Sequence, residues 1–290
     1  MPITEFLSLN PTAWIICASV FGLTVGSFLN VVIYRLPVML ERDWRTQCAE
    51  LLNTPTDSTP PEKFNLATPR SKCPKCGHAI RAYENIPVLS YLMLRGRCSA
   101  CSAKISPRYP IIELTTGILS AAVAWHFGYS SGGALALLLT YALITLTMID
   151  FDHQLLPDDI TLPFLWLGLL LSVLNIFTDM QSSILGAVAG YLILWTVYQV
   201  FKLVTGKEGM GYGDFKLLAL LGAWMGWQAL PAIILLSSLV GAAVGIALIV
   251  FARRDRRIPI PFGPYLAAAG WIYLIWGSQL NAAYLRWSGI

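Results

Sequence analysis

The chain has 290 residues, 56% of them hydrophobic and 12% charged, with a mean hydropathy of +0.62 and a formal net charge of +4. That balance excludes an ordinary soluble domain and indicates a chain built for a bilayer. The small positive charge is what membrane orientation requires, and no nucleic-acid partner is expected.

Apolar runs that are long enough to cross a bilayer, or nearly so, lie at about 12–34, 110–128, 133–150, 160–178, 183–204, 215–229, 231–251 and 262–282. The expected fold class is therefore an all-α integral membrane protein with about eight transmembrane helices; the run 215–229 is short and contains Gly222 and Gly226. The first run follows MPITEFLSLN, which lacks a basic segment, and no A-x-A cleavage signal follows it, so residues 1–34 are expected to hold a retained first helix.

Residues 35–109 are the one sizeable segment expected outside the membrane. The stretch Asn53 to Lys63, NTPTDSTPPEK, is rich in proline and threonine and reads as a flexible insert. Next come CPKC (Cys73, Cys76) and CSAC (Cys98, Cys101), two C-x-x-C pairs with 21 residues between them. Each pair can supply two corners of a tetrahedron, so the four thiolates predict a structural zinc site in a small zinc-ribbon-like domain. Two disulfides are the competing reading, disfavoured if the segment is cytoplasmic and reduced, and a redox role lacks a βαβ context. His78 could replace one thiol, although four suffice. Cys17 and Cys48 read as packing or surface residues.

The helices that follow, 110–290, carry few charges, and each is informative. A carboxylate near the bilayer is costly unless paired, so its default reading is functional. Asp150 closes the run LLLTYALITLTMID, and Asp214 opens another after GMGYG. Placed at one membrane edge, the two could act as an aspartic protease pair, one activating water as general base while its protonated neighbour polarises the scissile carbonyl. Glycines 209, 211 and 213 would let a substrate strand approach. Helix capping is the alternative role for Asp214. Asp152, Asp158 and Asp159 read as loop or capping residues, and Lys216 as a side chain that snorkels to the surface or, alternatively, tunes the pair. Glu113 is a further candidate or a bundle hydrogen-bonder, His153 a loop residue and His126 an interfacial one. GMGYGD lacks the G-K-[S/T] ending of a phosphate loop.

Twelve of the 20 basic residues lie between Arg35 and Arg108, four more in Arg253 to Arg257, and Lys202, Lys207 and Lys216 surround the glycine run. With eight helices all these segments fall on one side, which the positive-inside rule makes cytoplasmic, with both termini outside.

GSFLNVVIYRLP (Gly26 to Pro37), the two C-x-x-C pairs, IDFDHQLLPD (Ile149 to Asp158) and GMGYGDFKLL occur in this order. In this combination, over nearly the whole chain, the sequence resembles the bacterial type IV prepilin peptidases. The resemblance implies a multi-pass bacterial inner-membrane protein whose active site opens to the cytoplasm, with Asp150 and Asp214 catalytic. It implies prepilin and pseudopilin substrates of type IV pili and type II secretion, cut after a glycine that precedes the apolar pilin helix, and membrane lipids as surroundings. It further implies N-methylation of the new terminal residue with S-adenosylmethionine, a second activity assigned to the N-terminal half and the 35–109 segment. Gly96, in LRGRC, matches a glycine associated with methylation in that family, and no Rossmann-type signature for the cofactor is visible. A basic leader could meet acidic residues of the loop, Glu41, Asp43, Glu50 or Glu84. A transporter using membrane-edge carboxylates and a non-catalytic assembly scaffold are the rival readings; the first would place carboxylates at the midplane and the second would make cysteines, not aspartates, essential.

Overall fold

The computed structural model describes residues 3–53, 64–251 and 260–288. The Pro/Thr-rich insert, apart from Asn53, and the basic run 253–257 lie outside the described residues. Two compact units result, Met1–Gly133 and Ala134–Ile290.

In the first unit, α1 (Ile3–Leu9) leads into α2 (Pro11–Leu51), a 41-residue helix that continues through Pro37 well past the end of its apolar run. At 1.5 Å per residue it is about 60 Å long, twice the hydrocarbon thickness of a bilayer. Its apolar half packs on α4 (Arg108–Phe127), where Gly22 and Gly26 of α2 lie against Ser120, Thr116 and the Glu113 backbone, and Gly117 of α4 meets Leu23. Small residues bring the two backbones together, as helix pairs in lipid require. Asn30 of α2 ties the seam by donating to the Tyr109 carbonyl at 3.2 Å. Near the start of the polar half, the buried guanidinium of Arg35 donates to the carbonyls of Asn65 (2.8 Å), Leu66 (3.3 Å) and Pro69 (2.6 Å). That clamp returns the chain to α2 after the insert. Between α2 and α4 lie a 3₁₀ turn (Ala82–Asn85), the short α3 (Leu89–Met93) and two isolated antiparallel bridges, Lys72 with Ala79 and Arg97 with Lys104.

The second unit holds most of α5 (Ser131–His153), then α6 (Asp158–Ser172), α7 (Met180–Thr205), α8 (Tyr212–Met225), α9 (Leu230–Val250) and α10 (Gly263–Ser288). Its centre is α8, where Asp214, Phe215 and every residue from Leu217 to Trp224 are buried. The Trp224 indole donates to the Phe164 carbonyl at 2.7 Å and fills the space left by Gly168, joining α8 to α6. On the other flank Ser183 of α7 donates to the Ala223 carbonyl at 2.6 Å, and Gly186 and Gly222 meet backbone to backbone. A Cβ at Gly186 would overlap the Gly222 carbonyl, and neither backbone can move without disturbing its helix. Gly186→Val is expected to cost about 3 kcal/mol, the upper part of the usual overpacking range, and to show as a lowered unfolding midpoint in detergent.

Each of the eight predicted runs contains a helix, but five helices among the described residues are long and apolar enough to span a membrane: α2, α4, α5, α7 and the Trp227–Val250 segment containing α9. The predicted eight spans are not reached on these criteria. With 14 residues, α8 covers about 21 Å and is enclosed by protein, α6 has 15 residues, and α10 is broken at Trp276.

Candidate active site and metal centre

Asp150 sits in the last turn of α5 and Asp214 in the first turn of α8, and both are buried, at 5% and 7% exposure. The two carboxyls lie within electrostatic range of each other. The capping expectation for Asp214 is met in part: the N-cap is Gly211, which has no side chain, and the Asp214 carboxylate interacts with its backbone from the third helical position. That leaves the carboxylate at the positive end of the α8 dipole.

The wall behind Asp150 comes from a residue that sequence reading did not single out. Gly263, first residue of α10, faces Asp150, and a Cβ there would stand 2.6 Å from Asp150 Oδ2. That oxygen is buried and has no hydrogen-bond partner among the described residues. Leu156 closes the cluster, touching the positions where Gly213 and Gly263 would carry side chains. The only sequence signal was the PFGPY stretch itself, a glycine between prolines at the head of an apolar run.

The loop before Asp214 is held from α7. Lys202 pairs with Glu208 at 2.7 Å, an ion pair that holds the Glu208 carboxylate below its usual range. The buried Tyr198 packs on Tyr212 and Phe215, and Gly209 fits against Phe201. Sequence reading saw Lys202 only as a topogenic charge. Lys216, expected to snorkel, is bonded to both oxygens of Asp158 at 2.7 and 2.8 Å, joining the start of α8 to the start of α6. Asp152, Asp159 and His153 are exposed at the same end, and His126 packs edge-on against Phe127 in α4.

In the first unit the four cysteines converge, their sulfurs all within 4.8 Å of one another. Cys73 Sγ lies 3.8 Å from Cys101 Sγ and Cys76 Sγ 4.0 Å from Cys98 Sγ, and none is in a disulfide. A tetrahedron with Zn–S bonds of about 2.3 Å has edges of about 3.8 Å, so these residues fit a zinc ion. Two knuckles of the same design build the site. In one, Cys73 N–H donates to the His78 carbonyl and Gly77 N–H to the Cys73 carbonyl; in the other, Cys98 donates to Ala103 and Ser102 to Cys98. The N–H groups of Cys76 and Lys75 push the Cys73 thiol down to about 6, preparing a thiolate. Although the His78 N–H lowers Cys76, the crowded sulfurs of Cys101, Cys73 and Cys98 push it up to about 12. Four thiolates so close need a cation. The His78 ring is held by Glu84 and Ser99, each at 3.4 Å, outside the sulfur cluster. Cys98→Ser is expected to lower bound zinc from one ion per chain to near none, read by metal analysis of the purified protein.

Gly96 has a backbone reason to be glycine. Its φ is +66°, and a Cβ would sit 2.9 Å from the Tyr91 ring. Its N–H caps α3 through the Tyr91 carbonyl and its carbonyl accepts from Ile105, fixing the turn that enters the second knuckle. Gly96→Ala is expected to destabilise this unit by about 1–2 kcal/mol, seen as faster amide exchange over 89–105. Of the acidic loop candidates, Glu84 is bonded to Arg81 N–H and Glu41 to Arg45, while Asp43 and Glu50 are exposed.

Residues 137–246 match the type IV leader peptidase family, and residues 20–127 match the bacterial peptidase A24 N-terminal domain. The chain is 57% identical over 284 residues to the prepilin leader peptidase/N-methyltransferase of Stutzerimonas stutzeri, covering 98% of each protein. The chain belongs to the type IV leader peptidase family. Proteins of the same name from Pseudomonas aeruginosa and Pseudomonas putida are 53% and 54% identical, with 100% of this chain covered and 99% and 100% of theirs. No solved structure matches the chain. The two family matches fall on α2 to α4 with the cysteine knuckles and on α5 to α9 with both aspartates.

Proposed function

We propose that Asp150 and Asp214 are the catalytic pair of a membrane aspartic endopeptidase that removes the leaders of prepilins and pseudopilins, after which the same protein N-methylates the new terminus. The peptidase and methyltransferase activities follow from family membership and relatives that match end to end. The assignment of the pair rests on one observation: two buried carboxyls from different helices lie within electrostatic range of each other at one end of the unit, one with an unbonded oxygen.

Two close carboxyls cannot both ionise cheaply, so one proton is shared. The ionised member takes a proton from water as it attacks the scissile carbonyl. The protonated member bonds the carbonyl oxygen and stabilises the charge that develops there. Collapse of the tetrahedral adduct then passes a proton to the leaving amine. The Lys202–Glu208 pair ties the loop before Asp214 to α7. A prepilin whose apolar helix lies in the bilayer would present its leader and scissile bond at this edge.

The orientation that fits is a multi-pass protein of the bacterial inner membrane with the 35–109 segment and both aspartates on the cytoplasmic side. Zinc held by Cys73, Cys76, Cys98 and Cys101 serves the fold of that segment. S-adenosylmethionine supplies the methyl group when bound. Gly96 acts on methylation through the turn into the second knuckle, not by contact with the donor. A transporter would need its carboxylates at the midplane, and Asp150 and Asp214 lie at helix ends.

The test is incubation of the purified protein with a full-length prepilin, with and without S-adenosylmethionine, followed by mass spectrometry. Leader loss in both samples and one added methyl mass in the second is expected. An intact prepilin in both would overturn the assignment of substrate.

A further inference from the structure

We propose that residues 86–93, between the two cysteine knuckles, form an interfacial element that sinks into the bilayer edge, with lipid acyl chains against its apolar side and phosphate headgroups against Arg95 and Arg97. The depth comes from a hydrogen bond. With its 20 residues, α4 is about 30 Å long, the thickness of the hydrocarbon core, so Arg108 marks one edge and Glu113 lies about 7 Å inside it. Glu113 is buried there, close to the Ser27 side chain, and its Oε2 accepts the Val88 N–H at 2.8 Å. That bond holds the Val88 backbone at the level of the second turn of α4.

The local backbone is shaped for this contact. Val88 has φ +60°, a left-handed conformation that a β-branched residue adopts only under constraint. A backbone N–H at such depth needs an acceptor, because lipid offers none, and the Glu113 carboxylate provides it. The next residues form α3, whose Leu89, Leu92 and Met93 are 58%, 64% and 82% exposed, with Ile86 also exposed just before it. Four large apolar side chains within eight residues would make an adhesive patch in water. At the depth set by Glu113 they meet acyl chains instead. Immediately afterwards come Arg95 and Arg97, both exposed, where a helix leaving the acyl region meets anionic headgroups. The element thereby holds the zinc knuckles against the membrane surface.

The experiment places p-benzoylphenylalanine at Met93, or at Ala100 on the second knuckle as control, in full-length protein in nanodiscs of phosphatidylethanolamine and phosphatidylglycerol. Both positions are exposed, and zinc content reports that the unit remains folded. After irradiation, peptide mass spectrometry is expected to find lipid adducts at position 93 at least about tenfold more often than at 100, since an interfacial side chain faces acyl C–H bonds and the knuckle faces water. Equal adduct yields at the two positions would overturn the proposal. Cross-links from position 93 into residues 134–290 or into a second copy would also overturn it, showing protein on this face. The readout is independent of peptidase and methyltransferase activity.

Discussion

Asp150→Asn, Asp214→Asn and the double variant will each lose at least about 10³-fold in leader cleavage, equivalent to about 4 kcal/mol of transition-state stabilisation. The three losses will be nearly equal. If the carboxyls share one proton and act on one water, removing either destroys the unit, and removing the second adds little. Two aspartates with independent roles would give losses that multiply. The substitutions replace one oxygen by an amide of similar size in buried sites, so helix content, zinc content and methylation of an already cleaved pilin should be retained. Initial rates of leader release, measured with the three variants at equal protein, decide between these outcomes.

Gly263→Ala will reduce cleavage by about 10²-fold, the scale expected when a catalytic group is displaced by roughly 1 Å. The added methyl would lie 2.6 Å from Asp150 Oδ2 and 3.3 Å from Leu156 Cδ1, so Asp150 must turn away from its present position. Gly211→Ala is the matched control. It stands beside Asp214 with no atom closer than 3.9 Å to its new methyl and a φ of −82° that alanine accepts, and it should change the rate by less than about threefold. A Gly263→Ala enzyme with full activity would mean that this wall does not position Asp150.

The aspartates were legible because charge is rare in this chain. A carboxylate that closes an apolar run, and another that opens one after three alternating glycines, is conspicuous against so apolar a background. The zinc centre was legible for a different reason, since C-x-x-C spacing is a local geometric requirement that survives without knowledge of the fold. Partners distant in sequence were not legible. Asp158, 58 residues from Lys216, turns a snorkelling lysine into an interhelical ion pair, and Gly263, a neutral residue, becomes the wall of a carboxylate site only after α10 folds back. The span count is not confirmed, and α8 shows why apolarity alone does not decide it. Apolarity marks α8 for burial, yet α8 is buried by α6 and α7 and has only 14 residues, so the surrounding protein does what lipid was expected to do. Likewise, the first apolar run ends near residue 34, whereas α2 continues to Leu51. Gly96 was singled out by resemblance alone, and its left-handed φ and contact with Tyr91 supply the reason.

The central claim is that water activated between Asp150 and Asp214 opens the peptide bond directly. It is tested by a single turnover of wild-type enzyme on a prepilin in ¹⁸O-labelled water, followed by mass spectrometry of the released leader. The account predicts one labelled oxygen in the new glycine carboxylate from the first turnover onward. A first-turnover leader without label would contradict it, because the oxygen would then have come from a protein carboxylate acting as nucleophile.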